Sequence, residues 1–217
     1  MRLVATSLPL VARALALILV LLIGFAGCGG DSGDETTGTP AAEREAILPE
    51  GGQVPEPSIT GLEPAAQAAK CELRSTTART RDHTTNIDEP IDYDTNPPTT
   101  GRHFQVAAED GIYEEAAPDS TLVHSHEHGR VVIWFRPSLP PDTRAGLRAL
   151  VEEDDYQILL MPRSEMPFEV AATAWNSSPG PAGTGRLLGC ESFSPAAYDA
   201  LRAFRDKHRG RGPEASP

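Results

Sequence analysis

The chain has 217 residues, enough for one or two domains, and carries 31 acidic against 19 basic side chains, a formal charge of -12 at pH 7. That balance lacks the basic footprint nucleic-acid binding requires, so no nucleic-acid partner is expected. With 19 Gly and 20 Pro, long irregular stretches are expected beside any compact core.

The first 28 residues read as a targeting device. Arg2 and Arg13 supply positive charge, and residues 14–26 form an apolar, small-residue run that leads into Phe25-Ala26-Gly27-Cys28. The run is shorter than the roughly 17–25 residues of a spanning helix. Its form resembles a bacterial lipoprotein signal, with Cys28 as the lipidated residue. An uncleaved signal anchor is the alternative. Both place the domain on the extracytoplasmic face of the cell membrane, with the membrane itself as a partner. Residues 29–65 are rich in Gly, Ser, Thr, Asp, Glu, Pro and Ala without a sustained period, and read as a disordered acidic tether. With Cys28 taken by lipid, Cys71 and Cys190 remain, and in an oxidising compartment they read as one disulfide.

The folded unit is expected over residues 66–213. Ala66 to Leu73 reads as a short helical turn carrying Cys71, and Arg74 to Asp92 as loop or edge, with His83 solvated. The stretch Tyr93-Asp94-Thr95-Asn96-Pro97-Pro98-Thr99-Thr100-Gly101-Arg102-His103 is a constrained loop, because the prolines fix their own φ and restrict their predecessors. It would hold His103 in a defined place. Val131 to Phe135 is continuous, β-branched and aromatic, as in a strand buried on both faces. A helix opens at Pro140-Pro141-Asp142, with Leu147, Leu150 and Val151 as its apolar stripe, and stops before Asp154. Strands follow over residues 156–161 and 168–175. Residues 176–189 read as a Ser/Gly/Pro loop, and Ser194-Pro195 starts a last helix with the stripe Ala197, Tyr198, Leu201, Phe204. Arg202, Arg205, Lys207 and His208 gather at its C-terminal end, where positive charge suits the helix dipole. The fold class is α+β: a small mixed sheet with two packed helices and a long irregular N-terminal region.

The chemistry concentrates in His124-Ser125-His126-Glu127-His128. On a strand the three histidines would share one face; on a helix His124 and His128 would. Neutral imidazoles ligate zinc or copper. Grouping His103 with His124 and His128 gives three imidazoles and one open coordination position, the pattern of a catalytic metal site, with Glu127 as ligand, orienting partner or catalytic base. The competing reading is a cell-envelope binding or scaffold domain whose histidines only pin loops to the sheet. Arg130 could pair with Glu127 or face solvent. Whether the chain is an enzyme stays open at this level.

The proline loop ending in His103, then His124-Ser125-His126-Glu127-His128-Gly129-Arg130-Val131-Val132-Ile133, and later Ala174-Trp175, resemble a bacterial family of extracytoplasmic proteins, domain of unknown function 3105. The resemblance runs from about Cys71 to Pro213. It implies that His103, His124, Glu127 and His128 act as one unit, and it carries no activity. Family members commonly have Pro where this chain has Arg102 and Leu where it has His126, which sets His126 apart from the implied unit.

Overall fold

In the computed structural model, residues 46–214 are described. They form a six-stranded mixed sheet with helices on both faces, plus a two-strand ribbon. The expected signal (residues 1–28) and residues 29–45 of the expected tether lie outside the described residues. Among those described, no helix is long and apolar enough to cross a membrane.

The central strands are β5 (Val131–Phe135), β6 (Ile158–Pro162), β7 (Val170–Asn176) and β8 (Thr184–Cys190). β1 (Glu72–Thr77) and the two-residue β4 (Gly111–Ile112) are the edges, and the order is β1-β8-β7-β5-β6-β4. β5 and β6 are parallel, joined through α3 (Pro141–Glu152). β7 runs antiparallel to both β5 and β8, and β8 antiparallel to β1.

Both faces of the sheet are covered, which is why β5 and β6 are apolar at every position. Val131, Ile133, Phe135, Ile158 and Leu160 meet α3, α1 (Leu62–Ala69) and α4 (Ala197–His208) on one side. Val132, Trp134, Leu159 and Met161 meet Leu122 on the other, where α2 (Asp119–Glu127) and the irregular segments lie. That second side carries the histidines.

Three expectations change. The folded unit begins at or before residue 46 rather than near Ala66. Leu48 is buried in the core, and Ser58 is held by Asp199, whose carboxylate accepts from the Ser58 hydroxyl (2.6 Å) and the Ile59 amide (3.0 Å). Cys71 lies just past α1, after Lys70 in the left-handed conformation, rather than on the helix. Residues 184–189, expected as loop, belong to β8. The glycines that gave the stretch its loop-like composition are needed for close approach: a Cβ on Gly189 would lie 2.4 Å from the Phe168 ring, and one on Gly185 would lie 2.3 Å from Thr99 Oγ1. Gly185 thereby lets the proline loop seat on the sheet. The two expected packed helices are present as α3 and α4, α1 overlaps the expected helical turn, and α2 is additional.

His208 does not join the cations at the end of α4. It is buried, with Nδ1 3.1 Å from Asn176 Nδ2. Burial, reinforced by Arg186, Lys207 and Arg211, pushes it down to about 4, against nearby Glu63. The unfolded chain therefore takes up this proton first as pH falls. The contribution of neutral His208 is complete above about pH 6.5 and is lost progressively down to about pH 4, roughly 3 kcal/mol in all. Chemical denaturation between pH 7 and 4 should show a steeper stability loss for the wild type than for His208→Gln; parallel curves would refute this assignment.

Candidate metal centre

α2 is nine residues long, and eight of them are buried. Leu122 packs against the sheet and Val123 against Trp175. The helix thus has no solvent face and none of the amphipathic pattern that would announce it. At helical spacing His124, Glu127 and His128 share a side. His126 faces the opposite way.

His126 is fully buried, not solvent-facing, and belongs to neither ligand group. The Trp134 indole N–H donates to Thr173 Oγ1 (2.7 Å), leaving that hydroxyl to donate to His126 Nε2 (3.0 Å). Burial drives His126 down to about 3, so it is a neutral polar pin between helix and sheet. The Ser125 hydroxyl donates to the carbonyl oxygens of Ala108 (2.8 Å) and Thr121 (3.1 Å) and is likewise structural.

The second wall comes from two short strands that pair in parallel, β2 (His83–Thr84) and β3 (His103–Phe104). The pairing sets His83 directly beside His103, with ring centroids 4.4 Å apart. His83 therefore belongs to the cluster; it is exposed, as expected, but lies on a strand rather than in a loop. The Tyr93 hydroxyl donates to the Arg102 carbonyl (3.0 Å), so the loop remains tied down at the position where Arg102 departs from proline.

His83, His103, His124 and Glu127 each bring a ligand atom within 4.8 Å of the others. His103 Nδ1 lies 2.7 Å from the Gly101 carbonyl and His124 Nδ1 2.7 Å from that of Phe104. A carbonyl accepts only, so in both rings Nδ1 carries a proton, and Nε2 is the nitrogen a neutral ring offers to a ligand. That is the tautomer and anchoring found behind metal-ligating histidines. Burial, with His103, His128 and His83 nearby, outweighs the Phe104 contact and holds His124 below the ordinary imidazole range, hence neutral.

Glu127 is 1% exposed at its side chain and accepts from Arg81 Nε at 2.6 Å through Oε1. Its Oε2 lies 2.9 Å from His103 Nε2 and 3.5 Å from His83 Nε2. The close approach to His103 lacks hydrogen-bond geometry, and both atoms are buried without a partner. Burial raises Glu127, but His103 and Arg81 outweigh it and hold the carboxyl down at about 2.

Of the residues the sequence pointed to, His103, His124 and Glu127 come together. His128 stands one step outside, its Nε2 2.8 Å from that of His124 and 3.9 Å from Glu214. Arg130 pairs with Asp110 (2.6 Å), and Arg81 takes the place considered for it beside Glu127. Arg81, His83 and Glu214 were not found from sequence. Cys71 and Cys190 form the expected disulfide.

Fold and site together define an α+β domain with a buried histidine–glutamate cluster between one short helix and a two-strand ribbon. The family model described as "Protein of unknown function (DUF3105)" matches residues 84–217, more than half of the chain, and the protein belongs to that family. The match includes His103, His124, Glu127 and His128 and starts one residue after His83. No curated protein and no solved structure matches the chain.

Proposed function

We propose that this protein binds one transition-metal ion, zinc or copper, through His83, His103, His124 and Glu127, at the extracytoplasmic face of a membrane to which Cys28 anchors it. The observation that carries the metal reading is the pair His103 Nε2 and Glu127 Oε2, 2.9 Å apart, buried and without hydrogen-bond partners. Such atoms normally find a partner, and leaving them without one costs about 1–3 kcal/mol each. A cation between them removes that cost. The 2.9 and 3.5 Å separations bracket the edge of about 3.3 Å expected of a tetrahedron with ligand bonds near 2.0–2.1 Å. Three imidazoles and a carboxylate suit zinc or copper rather than magnesium or calcium. Four protein ligands fill a tetrahedral shell, which favours holding a metal over activating water. The anchoring reading draws on the lipoprotein-like residues 1–28 and agrees with a disulfide between Cys71 and Cys190, a bond favoured in oxidising compartments.

A scaffold domain with structural histidines remains the second reading, favoured by the Arg81–Glu127 and His124–Phe104 contacts, which join the loops without any ion. One preparation separates the two. The full-length chain should sediment with membranes and, extracted in detergent without chelator, yield about one zinc or copper per chain by elemental analysis. A chain found wholly in the soluble fraction overturns the anchor, and a metal-free chain overturns the site.

A further inference from the structure

His124 belongs to two groups. Besides its place with His83, His103 and Glu127, it forms a second group with His128 and Glu214, whose ligand atoms again lie within 4.8 Å of one another. Because its Nδ1 is held by the Phe104 carbonyl, Nε2 is the nitrogen His124 has to offer. One lone pair cannot serve two ions, so through His124 the groups are alternatives. They also lie along a gradient of exposure. In the inner group the His103 and Glu127 side chains are 0% and 1% exposed and His83 is 42% exposed, while His128 and Glu214 are 20% and 47% exposed.

Beyond His128 the surface opens into a cleft of about 390 Å³ lined by His128, Tyr156, Gln157, Arg209 and Glu214. The backbone places Glu214 there. Its amide donates to the Glu127 carbonyl (3.0 Å), and the Gly210 amide to that of Gly129 (2.8 Å). Between them Gly212 passes so close that a Cβ would lie 2.1 Å from the Glu127 oxygen. The segment from Arg209 to Glu214 is therefore seated on the last turn of α2. Arg209, the cation lining the cleft, is paired with Asp154 at 2.6 Å. An approaching metal ion meets a carboxylate and an imidazole here. On the other side, past half-exposed His83, it meets Arg81, whose guanidinium lies 2.6 Å from Glu127 and repels it.

We propose that His124, His128 and Glu214 form an outer, transient position through which the metal ion passes between the cleft and the inner group, a reading that rests on the metal site proposed above. His124 stays bound while His128 and Glu214 are exchanged for His103, Glu127 and His83. Only coordinate bonds change, so no electron or covalent bond is transferred. The fold then serves as a metal acceptor with a graded path, from the His128–Glu214 pair at the cleft to a shell whose His103 and Glu127 are buried.

Co2+ added to the full-length chain and followed by its visible absorption in a stopped-flow instrument tests this, with EDTA extraction as the reverse step. His128→Gln and Glu214→Gln should each reach the wild-type end point of one Co2+ per chain. Loading and extraction should both slow by about tenfold or more, the scale on which local charge alters the arrival of a charged ligand. Rates within twofold of wild type would overturn the path. Loss of bound Co2+ in His128→Gln would also overturn it, by making His128 a resident ligand. A wild type that takes up no Co2+ at all would instead fail the metal site itself, a different signature from a defect confined to the variants.

Discussion

Glu127→Gln in the full-length chain should lower zinc or copper affinity by more than a hundredfold while leaving the fold standing. Partners outside the ligand shell are worth about 10–100-fold, so removing the one anionic ligand among three neutral imidazoles should exceed that range. The change keeps the shape of the side chain and removes a buried charge. Arg81, 38% exposed, can return its guanidinium to water when its partner is lost, so no ion is stranded inside. Thermal melting with and without zinc separates this from a purely structural role. A ligand that binds only the folded state and is present at 1,000 times its Kd stabilises by about 4 kcal/mol. The wild type should gain that with added zinc, and the variant little. Equal gains in both proteins would remove Glu127 as a ligand, and no gain in either would favour the scaffold reading.

The variant also marks how far the site could be read from the chain. His124, Glu127 and His128 stand together in sequence, and His103 sits in a loop whose prolines announce rigidity, so these residues were legible. Arg81 and His83 were not. They reach the cluster through a two-residue parallel pairing between segments about twenty residues apart, which has no periodicity to detect. Glu214 was invisible for a similar reason: Gly210, Gly212 and Pro213 signal a helix stop, whereas the chain beyond the stop packs on α2. The strands β5 and β6 were clear because burial on both faces makes every position apolar. β8 was hidden because Phe168 and Thr99 occupy the volume its side chains would need. α2 was ambiguous because a helix enclosed on all sides displays no stripe. In each case long-range contacts replaced local propensity as the deciding term.

Opening the Cys71–Cys190 disulfide is expected to cost up to about 5 kcal/mol, since the bond links residues 119 positions apart and such long loops have the most chain entropy to lose. The location of the bond determines what is lost first. β1 is an edge strand with mostly exposed side chains, paired with β8 from Glu72 opposite Gly189 to Thr77 opposite Thr184. α1 precedes it and buries Leu62, Ala65, Ala66 and Ala69 against the core around α4. The disulfide holds the junction between them to the end of β8. Without it, β1 rests on its backbone ladder and a few exposed side-chain contacts, and α1 on four buried apolar side chains and the Glu63–Lys207 pair. Residues 78–82 then run from β1 straight to His83, so fraying of this edge should reach the cluster and loosen His83 and Arg81. Cys71→Ser with Cys190→Ser should melt about 10–20 °C below wild type for a domain of this size. Its metal affinity should fall as well, although neither cysteine touches the cluster. Melting curves and a zinc-competition titration, run with and without reductant, give both readouts. A shift below about 3 °C would show that α1 and β1 hold without the bond. A large shift with unchanged zinc affinity would show that this edge of the sheet and the histidine cluster are independent.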